Sequence, residues 1–322
     1  MSKALLFVII VSFFIAVLIG PIFIPFLRRL KFGQSIREEG PASHKKKSGT
    51  PTMGGIIFIT SIVVTTLITV MFTDYMPQSA EIQMLLITLL GYGAIGFVDD
   101  FLIVVKKNND GLKPIQKIIG QVIIAVVFFY LFLRNDFSTT FSIFGLAEFN
   151  LYWIYGVFIL FWMVGFSNAT NLTDGLDGLC TGTSVIAYGV FGLIALAQSQ
   201  MAIAIFCFTV VGALLGFLVF NLNPAKVFMG DTGSLALGGV LAAISILLKQ
   251  ELLLVVVGLV FVIETLSVMI QVAYYKRTRK RIFKMAPIHH HFEMCGWSEW
   301  KVVTVLWTVG LICGLVGLII AI

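Results

Sequence analysis

Ten long apolar runs separated by short polar segments organise the chain, covering residues 4–27, 53–72, 82–105, 118–133, 151–166, 179–197, 201–220, 235–248, 252–275 and 302–322. Crossing a bilayer takes roughly 20 residues of helix, so the pattern predicts an all-α integral membrane protein with about ten transmembrane helices. It forms one polytopic domain, residues 1–322, with no room for a large soluble unit. The first run is too long for a signal-peptide core and ends in Arg28 and Arg29 without a small-residue cleavage pattern, so it reads as a retained span. Between the fourth and fifth runs, residues 134–150 carry alternating Phe137, Phe141, Ile143 and Phe144 with a turn at Gly145. That spacing predicts a small hairpin on the outer membrane surface.

Composition agrees with the pattern. Of 322 residues, 59% are hydrophobic and 12% charged, with a mean hydropathy of +1.01. This excludes a water-soluble globule, a disordered tail and a collagen-like fibre. The net charge of +6 therefore belongs to the loops. Of the 22 Lys and Arg residues, 19 fall on the side that receives the loops after the odd-numbered runs, and only Lys3, Arg134 and Lys249 fall on the other. The positive-inside rule makes the first side cytoplasmic and leaves both termini outside. Cys180, Cys207, Cys295 and Cys313 have neither metal-ligand nor redox spacing and read as small apolar residues.

Four polar clusters gather on the same basic side: Asp99 and Asp100 in GFVDDF; Asn168, Asn171, Asp174 and Asp177 in NATNLTDGLDG; Asn221, Asn223 and Asp231 in NLNPAKVFMGDTGS; and His289, His290 and His291 in APIHHHFE. Each Asp-Gly pair alone is ordinary turn chemistry. Five carboxylates converging at one membrane face mark an ion or substrate site instead. Carboxylates suit a hard cation, and a few of them sharing it with phosphate oxygens suit magnesium, which is the cofactor expected. Three consecutive histidines point in different directions and have no partner at zinc-binding spacing, so they suit hydrogen bonding to phosphate or the ordering of carboxylates. Gly91-Tyr92-Gly93-Ala94-Ile95-Gly96 fits a dinucleotide-loop pattern but lies inside an apolar run, where it reads as close helix packing. The two glycosylation patterns at Asn168 and Asn171 fall on the cytoplasmic side. Lys45 and Lys46 read as anchors, whereas Lys47, beside a Gly-Thr-Pro turn leading into Gly54 and Gly55, could reach a phosphate. The basic stretch 276–284 reads first as an anchor to anionic lipid. Glu264 is the one carboxylate in mid-span, with a site lysine or one of the histidines as its expected partner.

The segments EEGPASHKKKSGTPTMGG, GFVDDF, NATNLTDGLDGL, NLNPAKVFMGDTGS and APIHHHFE, in this order over nearly the whole chain, closely resemble the phospho-N-acetylmuramoyl-pentapeptide-transferase family. This belongs to the superfamily of polyprenyl-phosphate sugar-1-phosphate transferases. The resemblance implies a multi-pass enzyme of the bacterial plasma membrane with its active site facing the cytoplasm. It would transfer phospho-MurNAc-pentapeptide from UDP-MurNAc-pentapeptide to undecaprenyl phosphate, giving lipid I and UMP in peptidoglycan synthesis. It also implies catalytic roles for Asp99, Asp100 and Asp231, with Asp231 binding magnesium. Lys47, Thr52, Asn171, Asp174 and Asp177 match positions lining the nucleotide cleft. Asn221 and Phe228 match the uridine region, Lys113 a functional lysine, and His289, His290 and His291 the motif beside the diphosphate. Direct in-line attack by the lipid phosphate is the expected mechanism, with Asp99 taking a residual proton or orienting the nucleophile; attack by an aspartate first is the competing one. The bilayer is a partner, nucleic acid is not, and a homodimer is compatible with the sequence. A sister enzyme transferring GlcNAc-1-phosphate and an ion-coupled transporter are the alternative functions; clustering of the acids at one face, without repeated halves, speaks against the transporter.

Overall fold

The computed structural model describes residues 2–29, 49–72, 79–106, 111–143 and 147–322. In chain order the helices are α1 (Ser2–Arg29), α2 (Gly55–Phe72), α3 (Ala80–Lys106) and α4 (Pro114–Arg134), followed by strands β1 (Thr140–Ile143) and β2 (Ala147–Asn150). Then come α5 (Trp153–Thr173), α6 (Leu179–Ala197), α7 (Met201–Asn221), α8 (Gly230–Leu247), α9 (Leu253–Val257), α10 (Leu259–Thr278), α11 (Ile288–Met294) and α12 (Glu299–Ala321). Among the described residues ten helices are long and apolar enough to cross a membrane, all except α9 and α11. The predicted count of ten therefore stands.

The boundaries differ where the chain is polar. Helix α4 starts four residues before its apolar run, with Pro114 at its first position, where the missing N–H costs nothing. Helix α5 continues through the polar Asn168–Thr173 stretch, and α8 begins at Gly230 rather than 235. The run at 252–275, predicted as one span, is split at Gly258 between α9 and α10; glycine is the weakest helix former after proline and marks the break.

Helix α8 is the centre of the molecule, with every residue from Thr232 to Leu247 buried. A helix apolar on all sides can be stable only when surrounded, and here α2, α3, α5 and α6 do so. Close approach is made possible by small residues. On α3, Gly93 and Gly96 face α8, while Gly91 faces Ile124 of α4, so the glycine pattern is helix packing as expected. On the flank, Gly212 and Gly216 of α7 lie against the Ile9 and Phe13 carbonyls of α1. Polar side chains inside the bundle hydrogen-bond across helices. Ser167 Oγ donates to the Leu235 carbonyl (3.1 Å), Tyr188 OH to the Leu237 carbonyl (2.6 Å) and Trp162 Nε1 to Ser245 Oγ (3.1 Å). The outward stripe of α1 (Leu6, Ile10, Phe14, Leu18, Ile22 and Phe26) is exposed, as a lipid-facing surface requires.

The predicted hairpin forms, with Thr140 opposite Asn150 and Ile143 opposite Ala147; Phe144 and Gly145 lie outside the described residues. Lys249, between α8 and α9, fastens it. Its Nζ donates to the Ser138 and Thr140 carbonyls and to Tyr155 OH, and lies 4.3 Å from the Tyr155 ring centre. Tyr155 OH in turn donates to buried Glu251.

A methyl group at Gly96 would overlap the backbone carbonyl of Asp231, whereas one at Gly93 would meet first the flexible tip of Ile59. Overpacking against backbone costs about 1–3 kcal/mol, so Gly96→Ala is expected to lower the melting temperature of the detergent-solubilised protein clearly more than Gly93→Ala. Equal melting temperatures would show that α3 and α8 can part at this point.

Candidate active site

The start of α8 is a buried helix N-terminus, and its first N–H groups need partners. Asp100, the last buried residue of α3, supplies them. Its Oδ1 accepts the Asp231 N–H (3.2 Å), and its Oδ2 accepts both the N–H (3.0 Å) and the hydroxyl (2.7 Å) of Thr232. A carboxylate at this end also complements the helix dipole. Gly230, immediately before, has φ +73 and is crowded by Asp100 and Thr52 Oγ1, so both its backbone and its surroundings demand glycine. Thr52 is brought here by a backbone bracket: Phe228 N–H donates to the Pro51 carbonyl (2.8 Å), and the Gly54 and Gly55 N–H groups donate back to Phe228 (2.8 Å) and Met229 (2.9 Å).

With Asp100 engaged, two carboxylates face each other across a cation. Lys117, on the first turn of α4, places its Nζ 2.9 Å from Asp99 Oδ2 and 2.5 Å from Asp231 Oδ2. Asp99 Oδ1 accepts the Leu112 N–H (2.7 Å), so the segment before α4 folds over it. Asp231 Oδ1 accepts from Asn171 Nδ2 (2.7 Å), which also donates to Ser234 Oγ (2.9 Å). Asp99 is buried, whereas the Asp231 side chain keeps 21% of its surface open. Asp174 Oδ2 accepts the Gly230 N–H (3.2 Å). Desolvation first, and then the nearby Asp231 charge, push the Asp174 carboxyl up to about 7, with the Gly230 bond pulling the other way.

The remaining candidates divide differently. Asp177 Oδ2 accepts from Asn223 Nδ2 (3.1 Å) and the Ala225 N–H (3.0 Å), while Glu299 of α12 accepts the Asp177 N–H (2.8 Å). Asn221 is buried between Thr181 (2.6 Å) and the Val227 carbonyl (3.0 Å). Both therefore shape the 222–229 loop that carries the half-buried Phe228. Lys113 is exposed at the start of α4, its N–H donating to Gln116. The histidines take three partners: His289 Nδ1 lies 3.0 Å from Glu264, His290 Nδ1 lies 2.9 Å from Glu293, and His291 Nδ1 accepts the Lys284 N–H (3.1 Å). Glu264 thus has the histidine partner expected of it. Lys47 lies outside the described residues.

Among the described residues no three His, Cys, Asp or Glu side chains are grouped to hold an ion on their own. Asp99 and Asp231 already share one cation, the Lys117 ammonium, and two carboxylates plus phosphate and water oxygens are a usual magnesium donor set, so these residues fit that ion.

A glycosyl transferase family 4 model matches residues 82–249, and a phospho-N-acetylmuramoyl-pentapeptide-transferase signature matches residues 47–59. Phospho-N-acetylmuramoyl-pentapeptide-transferases of Bacillus cytotoxicus, Bacillus mycoides and Bacillus thuringiensis are 60%, 59% and 59% identical, each over 97% of this chain and 96% of the relative. The chain belongs to the phospho-N-acetylmuramoyl-pentapeptide-transferase family. Lys117, which bridges two of the candidate carboxylates, is a residue that reading the sequence missed, counted there only as a loop charge. A signal existed: Pro114 fixes the helix start, and a lysine in the first turn of a helix opposes the dipole unless carboxylates compensate.

Asp100→Asn replaces an acceptor of backbone N–H groups and is expected to lower the melting temperature, by about 1–3 kcal/mol of stability. Asp231→Asn relieves crowding of like charges and should leave the melting temperature near wild type. The reverse order in a thermal melt would mean that Asp100 does not cap α8.

Proposed function

We propose that the chain transfers phospho-MurNAc-pentapeptide from UDP-MurNAc-pentapeptide to undecaprenyl phosphate, releasing UMP and forming lipid I. The observation that carries this reading is the 60% identity to a so-named relative over 97% of the chain. The ten-span architecture supports it, since a polyprenyl acceptor lives in the bilayer. We place the active end at the cytoplasmic face, supported by the 19-to-3 division of basic residues, which leaves both termini outside.

An oxygen of the lipid phosphate attacks the sugar-linked phosphorus, the bond to the UMP oxygen breaks, and UMP leaves with the electron pair. A phosphate monoester has a second pKa near about 6 and is mostly a dianion at neutral pH, so the step needs charge neutralisation and alignment more than a strong base. Lys117 supplies a positive charge between Asp99 and Asp231. Asn171 fixes the rotamer of Asp231, and Asp99 orients Lys117; in this reading Asp99 also takes any residual proton. Asp100 acts at one remove by holding the start of α8. Magnesium, when bound, would be held by Asp231 and Asp99 and would neutralise diphosphate charge.

Purified protein offered UDP-MurNAc-pentapeptide or UDP-GlcNAc separately, with undecaprenyl phosphate, is expected to release UMP only from the first. Release only from UDP-GlcNAc would assign the chain to the sister activity. Lys117→Met is expected to lose roughly 10²–10³ in kcat, the scale of removing one preorganised charge-stabilising donor. Asp99→Asn and Asp231→Asn should each lose at least as much while the protein still inserts and folds. Chelation of divalent cations should abolish turnover and added magnesium restore it; full turnover in a chelator would remove the metal from the scheme.

A further inference from the structure

Glu264 of α10 and His289 of α11 are both fully buried, 25 residues apart in sequence. Glu264 Oε2 lies 3.0 Å from His289 Nδ1 and also faces the His289 N–H at 3.4 Å. A carboxylate in mid-span is costly unless a donor meets it, and the imidazole Nδ1–H does so, which fixes both the tautomer and the ring plane. The opposite ring edge is the informative one. Among the described residues His289 Nε2 is buried without a hydrogen-bond partner, and it lies against Gly175, so closely that a methyl group at Gly175 would overlap the ring. Gly175 follows Asp174, whose Oδ2 accepts the Gly230 N–H, and Gly230 precedes Asp231. A continuous line of contacts therefore runs from Glu264 through His289 and the Asp174–Gly175 turn to the start of α8.

We propose that Glu264 and His289 are a positioning pair: Glu264 locks the imidazole, and the imidazole holds the Asp174–Gly175 turn that sets Asp231. His289 then acts through the turn rather than by touching the diphosphate, which distinguishes it from the role expected of it by resemblance. Glu264, absent from the candidate site residues of the sequence, becomes a positioning residue for the proposed transfer. The kinetic readout depends on that transfer being the reaction; amide exchange does not.

The test uses the full-length protein in detergent. Glu264→Gln keeps the side-chain size but replaces the charged acceptor of the Nδ1–H by a neutral amide, which weakens its hold on the ring. It is expected to speed amide hydrogen exchange in residues 172–178 by about tenfold or more while leaving the distant hairpin, residues 140–150, unchanged. Gly175→Ala should do the same by displacing the ring, and serves where Glu264→Gln does not fold. In turnover, each variant is expected to lower kcat by about tenfold or more with the KM for both substrates within about twofold, because positioning is lost and binding is not. Glu264→Gln combined with His289→Gln should be no worse than the worse single variant, as two parts of one unit. Unchanged exchange at residues 172–178 in both Glu264→Gln and Gly175→Ala overturns the proposal whatever the substrate. A raised KM for the UDP donor with kcat intact, or additive losses in the double variant, overturns it in favour of direct contact. Wild-type protein inactive with UDP-MurNAc-pentapeptide would instead overturn the proposed reaction and leave the positioning pair to be judged by exchange alone.

Discussion

The carboxylate of Asp100 against the first N–H groups of α8 is the interaction on which the site depends. Helix α8 is buried almost from its first turn, so water cannot satisfy its orphan amides, and a buried unpaired amide is among the costlier defects a fold can carry. Only a neighbouring side chain can serve, and Gly96 lets α3 come close enough for Asp100 to do so. That contact fixes α8 along its axis and thereby the position of Asp231. It also brings a third carboxylate into a crowded place. Asp99, Asp100 and Asp231 together would repel one another strongly in surroundings this dry, and Lys117 is the cation that allows two of them to face each other.

How far the sequence discloses this depends on the kind of signal. Apolar runs define ten spans because hydrocarbon imposes a length and an absence of charge. They do not define where helices end. Helix α5 runs through Asn168 and Asn171, α8 starts at Gly230, and α4 starts at Pro114, each beyond its apolar run. These extensions are stable because the polar residues bond to one another: Asn168 to Gln121 and Asn171 to Asp231. Hydropathy measures transfer to lipid and has nothing to say about polar groups whose partners are themselves protein, so its error falls on the site.

The candidate residues are legible in the sequence as a set, by motif and by their place on the basic side, but not by task. Asp99, Asp100, Asp174 and Asp177 are chemically alike in sequence, and nothing in their spacing says that Asp177 braces the 222–229 loop against α12 or that Asp100 caps a helix. Lys117 was hidden by the opposite problem, since positive-inside bias explains any lysine in the basic loops equally well. The histidine run shows what local geometry can settle: three adjacent residues diverge to Glu264, Glu293 and the Lys284 N–H, as their backbone spacing requires.

What separates architecture from chemistry among these carboxylates is the mobility of the donors they accept from. Both oxygens of Asp100 accept α8 backbone N–H groups, which cannot leave without unwinding a buried helix. Asp177 is likewise held in part by a backbone N–H. Asp99 is intermediate, with the Leu112 N–H on one oxygen and Lys117 on the other. Among the described residues Asp231 accepts only from side chains on its two oxygens, the Asn171 amide and the Lys117 ammonium, and of the facing pair it is the one with an appreciable open surface. A lysine on a four-carbon stem can swing away at the cost of a rotamer change, whereas a helix N-terminus cannot. Of the facing pair Asp231 is therefore the carboxylate more open to an incoming ligand, its backbone pinned by the contact with Asp100.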